Sequence, residues 1–177
     1  QNIYKKIKLK YKNENDFKLK FIENNLNNIK KKWPKNLPTG IIHGDIFLDN
    51  IIFQDNNVNG IIDYTFACND FYALDIAICL NALCFDNVGD NYNFNFLNAK
   101  NFLKGYIKNR FLEKNEIQNL HVLCQGAAMR FLLTRLFDSI NQNNDAFVII
   151  KDPFEYIKKI EYFNEHKDLM PQLFNEI

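Results

Sequence analysis

The chain has 177 residues, 47% of them hydrophobic and 15% aromatic, enough apolar material for one compact unit with a substantial core. Its 22 basic and 21 acidic residues leave a formal charge of +1, which excludes a whole-molecule field that gathers nucleic acid or an anionic membrane. No apolar run reaches the roughly 18–20 residues of a membrane span and no signal peptide opens the chain. The expectation is a soluble cytoplasmic protein, with Gln1, which is not an initiator residue, leaving room for upstream sequence.

In chain order, the basic runs Lys5-Lys6-Ile7-Lys8-Leu9-Lys10 and Lys30-Lys31-Lys32 read as solvated faces, because the first alternates with apolar residues and the second ends an amphipathic run. Asn15 or Asp16 can cap a helix whose apolar positions Phe17, Phe21, Ile22, Leu26, Ile29 and Trp33 recur at helical spacing before Pro34 and Pro38. Ile41 and Ile42 lead into a polar loop, His43 to Asn50. Ile51 to Phe53 and Val58 to Asp63, joined by Asp55-Asn56-Asn57, form a small hairpin that brings Asn50 and Asp63 close together.

From Tyr72 the periods are helical. Leu74, Ala77, Ile78, Asn81 and Cys84 mark one helix, and Phe96, Ala99, Phe102, Leu103, Tyr106 and Ile107 the next. Ile117 to Ile140 is a long or broken helical segment, with Gly126 a point of close packing. The last helix starts at Asp152 as N-cap, with Pro153 first and Glu155 third in a capping-box pattern. The fold class is mainly α with one small β-hairpin. Its single domain divides into a leading helix and linker (1–36), polar loops (37–71) and a helical remainder (72–177). Cys68, Cys79, Cys84 and Cys124 have no metal-ligand spacing and read as small buried thiols of a reducing compartment.

Chemistry concentrates in His43-Gly44-Asp45-Ile46-Phe47-Leu48-Asp49-Asn50 and Ile61-Ile62-Asp63. A carboxylate, an amide five residues on and a second carboxylate beyond an apolar strand are the oxygen ligands that phosphoryl transfer uses around ATP and magnesium. Asn50 and Asp63 are the expected Mg2+ and nucleotide-phosphate ligands; Asp45 is the expected catalytic residue, orienting the acceptor hydroxyl and taking its proton. The Asp45–Asn50 interval matches the kinase catalytic loop H-R-D-x-x-x-x-N, with Asp63 at the place of the D-F-G aspartate. Gly44 replaces the arginine, and no A-P-E motif follows, so a small-molecule acceptor is favoured over a protein. His43 reads as a structural brace and Asp49 as solvated. Asp75 either complements a helix dipole or bonds back to the loop. His121 and His166 are assigned no chemistry.

The segments Leu37 to Asn50, Gly60 to Phe71, Asp75 to Asn81 and Ala127 to Asp138, with the Lys151-Asp152-Pro153 helix start, resemble the homoserine-kinase branch of the aminoglycoside-phosphotransferase and choline-kinase superfamily. His-Gly-Asp-x-x-x-x-Asn identifies the superfamily; Phe-Ala-Cys-x-Asp-Phe and Arg-Phe-x-x-x-Arg-Leu-x-Asp point to the branch. The resemblance implies the C-terminal lobe of a protein-kinase-like fold and ATP- and Mg2+-dependent transfer to the side-chain hydroxyl of L-homoserine, for threonine synthesis. Nothing upstream of Leu37 resembles the β-rich N-terminal lobe of such kinases, so the expectation is a fragment with little activity alone. Arg130 is the expected carboxylate binder and Asp70 a candidate for the ammonium, unless Asp70 caps the next helix. Arg135 points about 140° from Arg130 around a helix, so the two are not expected to face one ligand, and Arg135 can instead pair with Asp138 three positions later. The alternatives are an aminoglycoside, choline or methylthioribose acceptor, or a non-catalytic nucleotide- or partner-binding lobe.

Overall fold

The computed structural model describes residues 2–10, 16–88, 91–141 and 152–177. The cap expected at Asn15 and the Lys151 end of the last helix start lie outside these residues.

Helix α5 (Lys114–Ile140) is the axis of the molecule. Between Leu120 and Leu132 its buried positions fall on nearly every side, and a helix without a polar face has to be enclosed by others. Helices α1 (Asn2–Lys10), α2 (Asp16–Lys32), α3 (Tyr72–Leu83), α6 (Glu155–Glu165) and α7 (Leu169–Asn175) all pack on it, while α4 (Phe96–Ile107) packs on α3 and α7. The segment expected to be long or broken is one continuous helix. Its start is fixed by Glu113 and Glu116, whose carboxylates each accept the other's backbone N–H, with Arg110 paired to the buried Glu116. Gly126 leaves the space that the Trp33 indole fills.

Helix α3 is buried without interruption from Ile76 to Asn81. The amphipathic face read from Leu74, Ala77, Ile78 and Asn81 therefore captures only part of its packing, and Leu74 is half-buried. Asn81 is fully buried and its amide donates to the carbonyls of Ala77 (2.9 Å) and Cys124 (3.0 Å), which ties α3 to α5.

The expected single hairpin is corrected to three two-stranded antiparallel sheets among the described residues. The anticipated one pairs β2 (Ile51–Gln54) with β3 (Asn57–Ile61), Ile51 opposite Ile61. A second pairs β1 (Thr39–Ile42) with β4 (Cys68–Phe71), so the chain leaves α2, makes an excursion through the polar loop and hairpin, and returns beside its point of departure. A third, β5 (Phe85–Val88) with β6 (Asn91–Phe94), interrupts the stretch read as wholly helical. Phe85 and Phe94, opposite each other, pack edge-on at 5.2 Å and both meet Phe163 of α6, so this hairpin is held by aromatic contacts.

Two helix ends also differ from expectation. The start expected at Asp152 is corrected: α6 begins at Glu155 with Phe154 at its N-cap and no side-chain cap there, the Asp152 carboxylate instead accepts the Phe154 N–H at 2.9 Å in the turn before the helix, and the Glu155 carboxylate is taken by Arg135 and Lys159. Helix α7 follows α6, with Pro171 in its first turn, where a missing N–H leaves no bond unmade. Three cysteines are buried as expected, and burial pushes the Cys84 thiol up to about 12 and those of Cys79 and Cys124 well above the usual range; Cys68 is exposed. Among the described residues no helix is long and apolar enough to cross a membrane.

A Cβ on Gly126 would stand 2.2 Å from Cζ3 of Trp33. Gly126→Ala should therefore destabilise the fold, since overpacking costs about 1–3 kcal/mol against the roughly 1 kcal/mol that alanine gains over glycine within a helix. In a Trp33→Leu background the same change should become neutral or stabilising; urea denaturation of the four proteins measures both signs.

Candidate active site

The polar loop is gripped from three sides. The Asp75 carboxylate, in the first turn of α3, accepts the backbone N–H of His43 at 2.7 Å and of Gly44 at 2.8 Å. Of the two readings open for Asp75, the structure has it bonded back to the loop. His43, buried at 6% exposure, donates from Nε2 to the Ile62 carbonyl (2.9 Å), which leaves Nδ1 to accept the Asp45 N–H (3.3 Å). One imidazole thus joins the loop to the strand end that carries Asp63. From α5, Arg130 donates to the Gly44 carbonyl and Phe131 packs edge-on against Phe47 at 4.9 Å. Gly44 sits at φ +77°, and a Cβ there would stand 2.7 Å from the Phe66 carbonyl oxygen, so only glycine fits this bend.

These grips place Asp45, Asn50 and Asp63 along one cleft of about 310 Å3, whose other walls include Phe66, Arg130, Thr134, Arg135 and Asp138. The hairpin works as anticipated: Ile62 N–H donates to the Asn50 carbonyl at 3.0 Å, holding the two ends together. The Asn50 amide nitrogen donates to the Asp45 carbonyl at 2.9 Å, so its oxygen is the atom left for a ligand. Asp63 adopts the left-handed conformation at φ 62°, and its Oδ1 accepts from the Thr65 hydroxyl (2.6 Å) and backbone N–H (3.3 Å).

The two carboxylates are tuned in opposite directions. Burial raises Asp45 above the usual carboxylate range; Arg130, whose Nη2 lies 3.8 Å from Asp45 Oδ1, opposes that rise and Asp63 adds to it. The Thr65 hydroxyl and N–H hold exposed Asp63 below the usual range, so it remains charged. Among the described residues no group of three acidic, histidine or cysteine side chains forms a cation cage. An amide oxygen and an ionised carboxylate suit magnesium, which prefers hard oxygen ligands, keeps water and binds through substrate phosphates.

The remaining expected residues divide. Arg130 lines the cleft, but its guanidinium is already engaged with Gly44 and Asp45 and lies against the rings of Phe66 (5.1 Å) and Phe131 (4.9 Å). Asp70 stands on β4, is not among the cleft-lining residues, and accepts the Phe71 N–H at 2.7 Å beside the start of α3. Arg135 corrects the expectation twice. It lines the same cleft as Arg130, because long side chains converge across the angle between their backbone positions, and it pairs with Glu155 at 3.1 Å rather than with Asp138. Asp49 is exposed at the cleft wall. Sequence reasoning missed Thr65, although Asp-x-Thr is a local pattern in which hydroxyl and N–H both reach back to a carboxylate. Glu155 and Lys159 were missed because the signal that joins them to the cleft is tertiary.

A helical lobe that presents an Asp-x-x-x-x-Asn loop and a second aspartate beyond a hairpin to one cleft has the build of a phosphotransferase. The sequence profile of the Phosphotransferase enzyme family matches residues 5–106, and the chain belongs to that family. Similar proteins include a homoserine kinase of Bartonella tribocorum, 46% identical over 148 residues (84% of this chain, 46% of that protein). Homoserine kinases of Rhodopseudomonas palustris (48% over 137 residues; 77% of this chain, 41% of that protein) and Parvibaculum lavamentivorans (48% over 132; 75% and 40%) are also similar. The chain spans 40–46% of the length of these relatives.

The opposite tuning of the carboxylates has a pH signature. For Asp45 the folded-state pKa lies above the unfolded one, so its ionisation opposes folding, an effect absent below about pH 4 and growing as pH rises through the folded-state pKa. For Asp63 the folded-state pKa is depressed, so its contribution is present at neutral pH and lost as pH falls. The Tm difference between Asp45→Asn and the parent should become more positive as pH rises from about 4 toward 7, and that of Asp63→Asn should shrink toward zero as pH falls below about 4; thermal melts from about pH 2 to pH 7 measure both.

Proposed function

We propose that this chain carries the acceptor and metal side of a kinase that transfers the γ-phosphoryl of ATP to the side-chain hydroxyl of L-homoserine, within a protein of its relatives' length. The observation that carries the reading is the meeting of Asp45, Asn50 and Asp63 in one cleft with two arginines. Its substrate follows the names of relatives 46–48% identical to the chain.

In this reading the Asn50 amide oxygen and the Asp63 carboxylate hold magnesium. Magnesium-bound ATP supplies the phosphoryl group and the neutralisation of charge on its oxygens. Asp45 accepts the hydroxyl hydrogen and aims the oxygen, which forms the new O–P bond as the O–H bond breaks and the bond from the γ-phosphorus to the bridging oxygen of the departing ADP breaks. Burial raises the Asp45 carboxyl and so makes it the stronger proton acceptor, while the Arg130 contact favours its charged form. His43 and Asp75 hold the loop that presents it. Beside the lining aspartates, the two arginines would give the carboxylate of the homoserine acceptor its countercharge.

The test is homoserine-dependent ADP release by the native-length protein with Mg2+ and ATP, against a panel including choline and an aminoglycoside. Homoserine should be preferred. Asp45→Asn should lower kcat by about 10²–10⁴-fold, and Asp63→Asn should raise the Mg2+ concentration required by about tenfold or more. ADP release unaffected by homoserine, or preference for a cationic alcohol, would overturn the proposal.

A further inference from the structure

Behind the cleft lies a charge arrangement that the reaction as proposed leaves unexplained. Oε1 of Glu155 accepts from both Arg135 Nη1 (3.1 Å) and Lys159 Nζ (3.3 Å), so two cations share one oxygen of one anion. The three side chains are withdrawn from water, at 16%, 18% and 7% exposure for Arg135, Glu155 and Lys159. Lys159 is held inside: its ammonium also donates to the Asn81 carbonyl (2.9 Å) and lies against the Tyr156 and Phe85 rings at 4.8 and 5.2 Å. Burial opposes its charge and Glu155 sustains it. Arg135 is further fixed by the Asp152 carbonyl (3.3 Å) and by lying 4.6 Å over the Tyr156 ring. With Lys159 charged, the triad carries one net positive charge among the described residues, in a wall largely withdrawn from water, where a charge without a counterpart is costly. Of its members only Arg135 lines the cleft. Three residues on, nearly one turn along α5, Asp138 lines the same wall.

We propose that Arg135 binds the α-carboxylate of the acceptor, that Asp138 receives its ammonium, and that Lys159 acts through Glu155 as a positioning residue that keeps Arg135 short of a full countercharge. Arg130, engaged with Gly44 and Asp45, is left to govern the catalytic carboxylate. The cleft then divides by task along α5: Arg130 stands over the reacting hydroxyl, and Arg135 with Asp138 forms a zwitterion receptor that recognises an α-amino acid and rejects simple alcohols. The inference deepens the homoserine reading and rests on it.

The experiment uses the native-length protein with three acceptors: L-homoserine, 3-aminopropan-1-ol, which lacks the carboxylate, and 4-hydroxybutyrate, which lacks the ammonium. Arg135→Met should lower kcat/KM for homoserine at least about 30-fold, as expected for losing a hydrogen-bonded charge pair, and for 3-aminopropan-1-ol no more than about threefold. Asp138→Asn should lower kcat/KM for homoserine and leave the parent's value for 4-hydroxybutyrate within about threefold. Lys159→Met, which alters nothing that lines the cleft, should raise KM for homoserine about three- to tenfold with kcat and KM for ATP unchanged. A purely structural role for these residues would lower all three substrates alike, and that result overturns the proposal; so does an Arg135→Met enzyme that handles homoserine like the parent. If the parent ignores homoserine yet phosphorylates another carboxylate-bearing alcohol in an Arg135-dependent manner, the homoserine reading falls and the carboxylate site stands.

Discussion

The Asp75 carboxylate, accepting two consecutive backbone N–H groups of the polar loop, is the constraint on which the site depends. Consecutive amides pointing one way require a bent backbone, and the bend here needs the positive φ of Gly44. A helix start is a suitable place for the acceptor, because the dipole of α3 favours a negative charge in its first turn. The β1–β4 pairing then sets where α3 begins relative to the loop, since Phe71, the last residue of β4, immediately precedes the helix. Backbone pairing, helix start and loop curvature are thus one mechanical unit, and Asp45 inherits its position from it.

Helix α5 adds the second coordinate. It is enclosed by other helices for most of its length, and only near Arg130, Thr134, Arg135 and Asp138 does it reach the cleft. A rigid, buried axis is a sound support for cations that must stay in register with a loop on the other side of an opening. The same helix carries Phe131, which meets Phe47 on one side and stacks on Tyr156 at 5.6 Å on the other, so loop, axis and α6 share an aromatic contact. Electrostatic and apolar contacts therefore run through the same short stretch of chain.

Much of this was legible without coordinates. Asp45, Asn50 and Asp63 are separated by intervals that a loop and a tight hairpin convert directly into proximity, and the Gly126 notch followed from a lone glycine in an apolar helical run. What escaped was set by longer range or by competing periods. Val88-Gly89-Asp90-Asn91, a turn signal ahead of the alternating run Asn91 to Phe96, was submerged in helical patterns on both sides. The β1–β4 pairing joins the short strand read at Ile41-Ile42 to residues 68–71, whose sequence reads as loop. Most instructive is Arg135: counting degrees around a helix locates a Cβ, whereas a guanidinium several bonds away is placed by its partners, here Glu155, the Asp152 carbonyl and the Tyr156 ring. The buried Lys159 read as one more basic residue on a helix, because nothing local marks a lysine as interior.

The distribution of sulfur has a practical corollary. Three thiols are sealed in the interior, while Cys68 stands in the open on β4, a few residues beyond Asp63 and opposite Ile42 at the mouth of the loop. A probe attached under native conditions will therefore find a single address, and it will sit where any movement of the loop against its strand support is greatest in consequence. The molecule comes with its own reporter position.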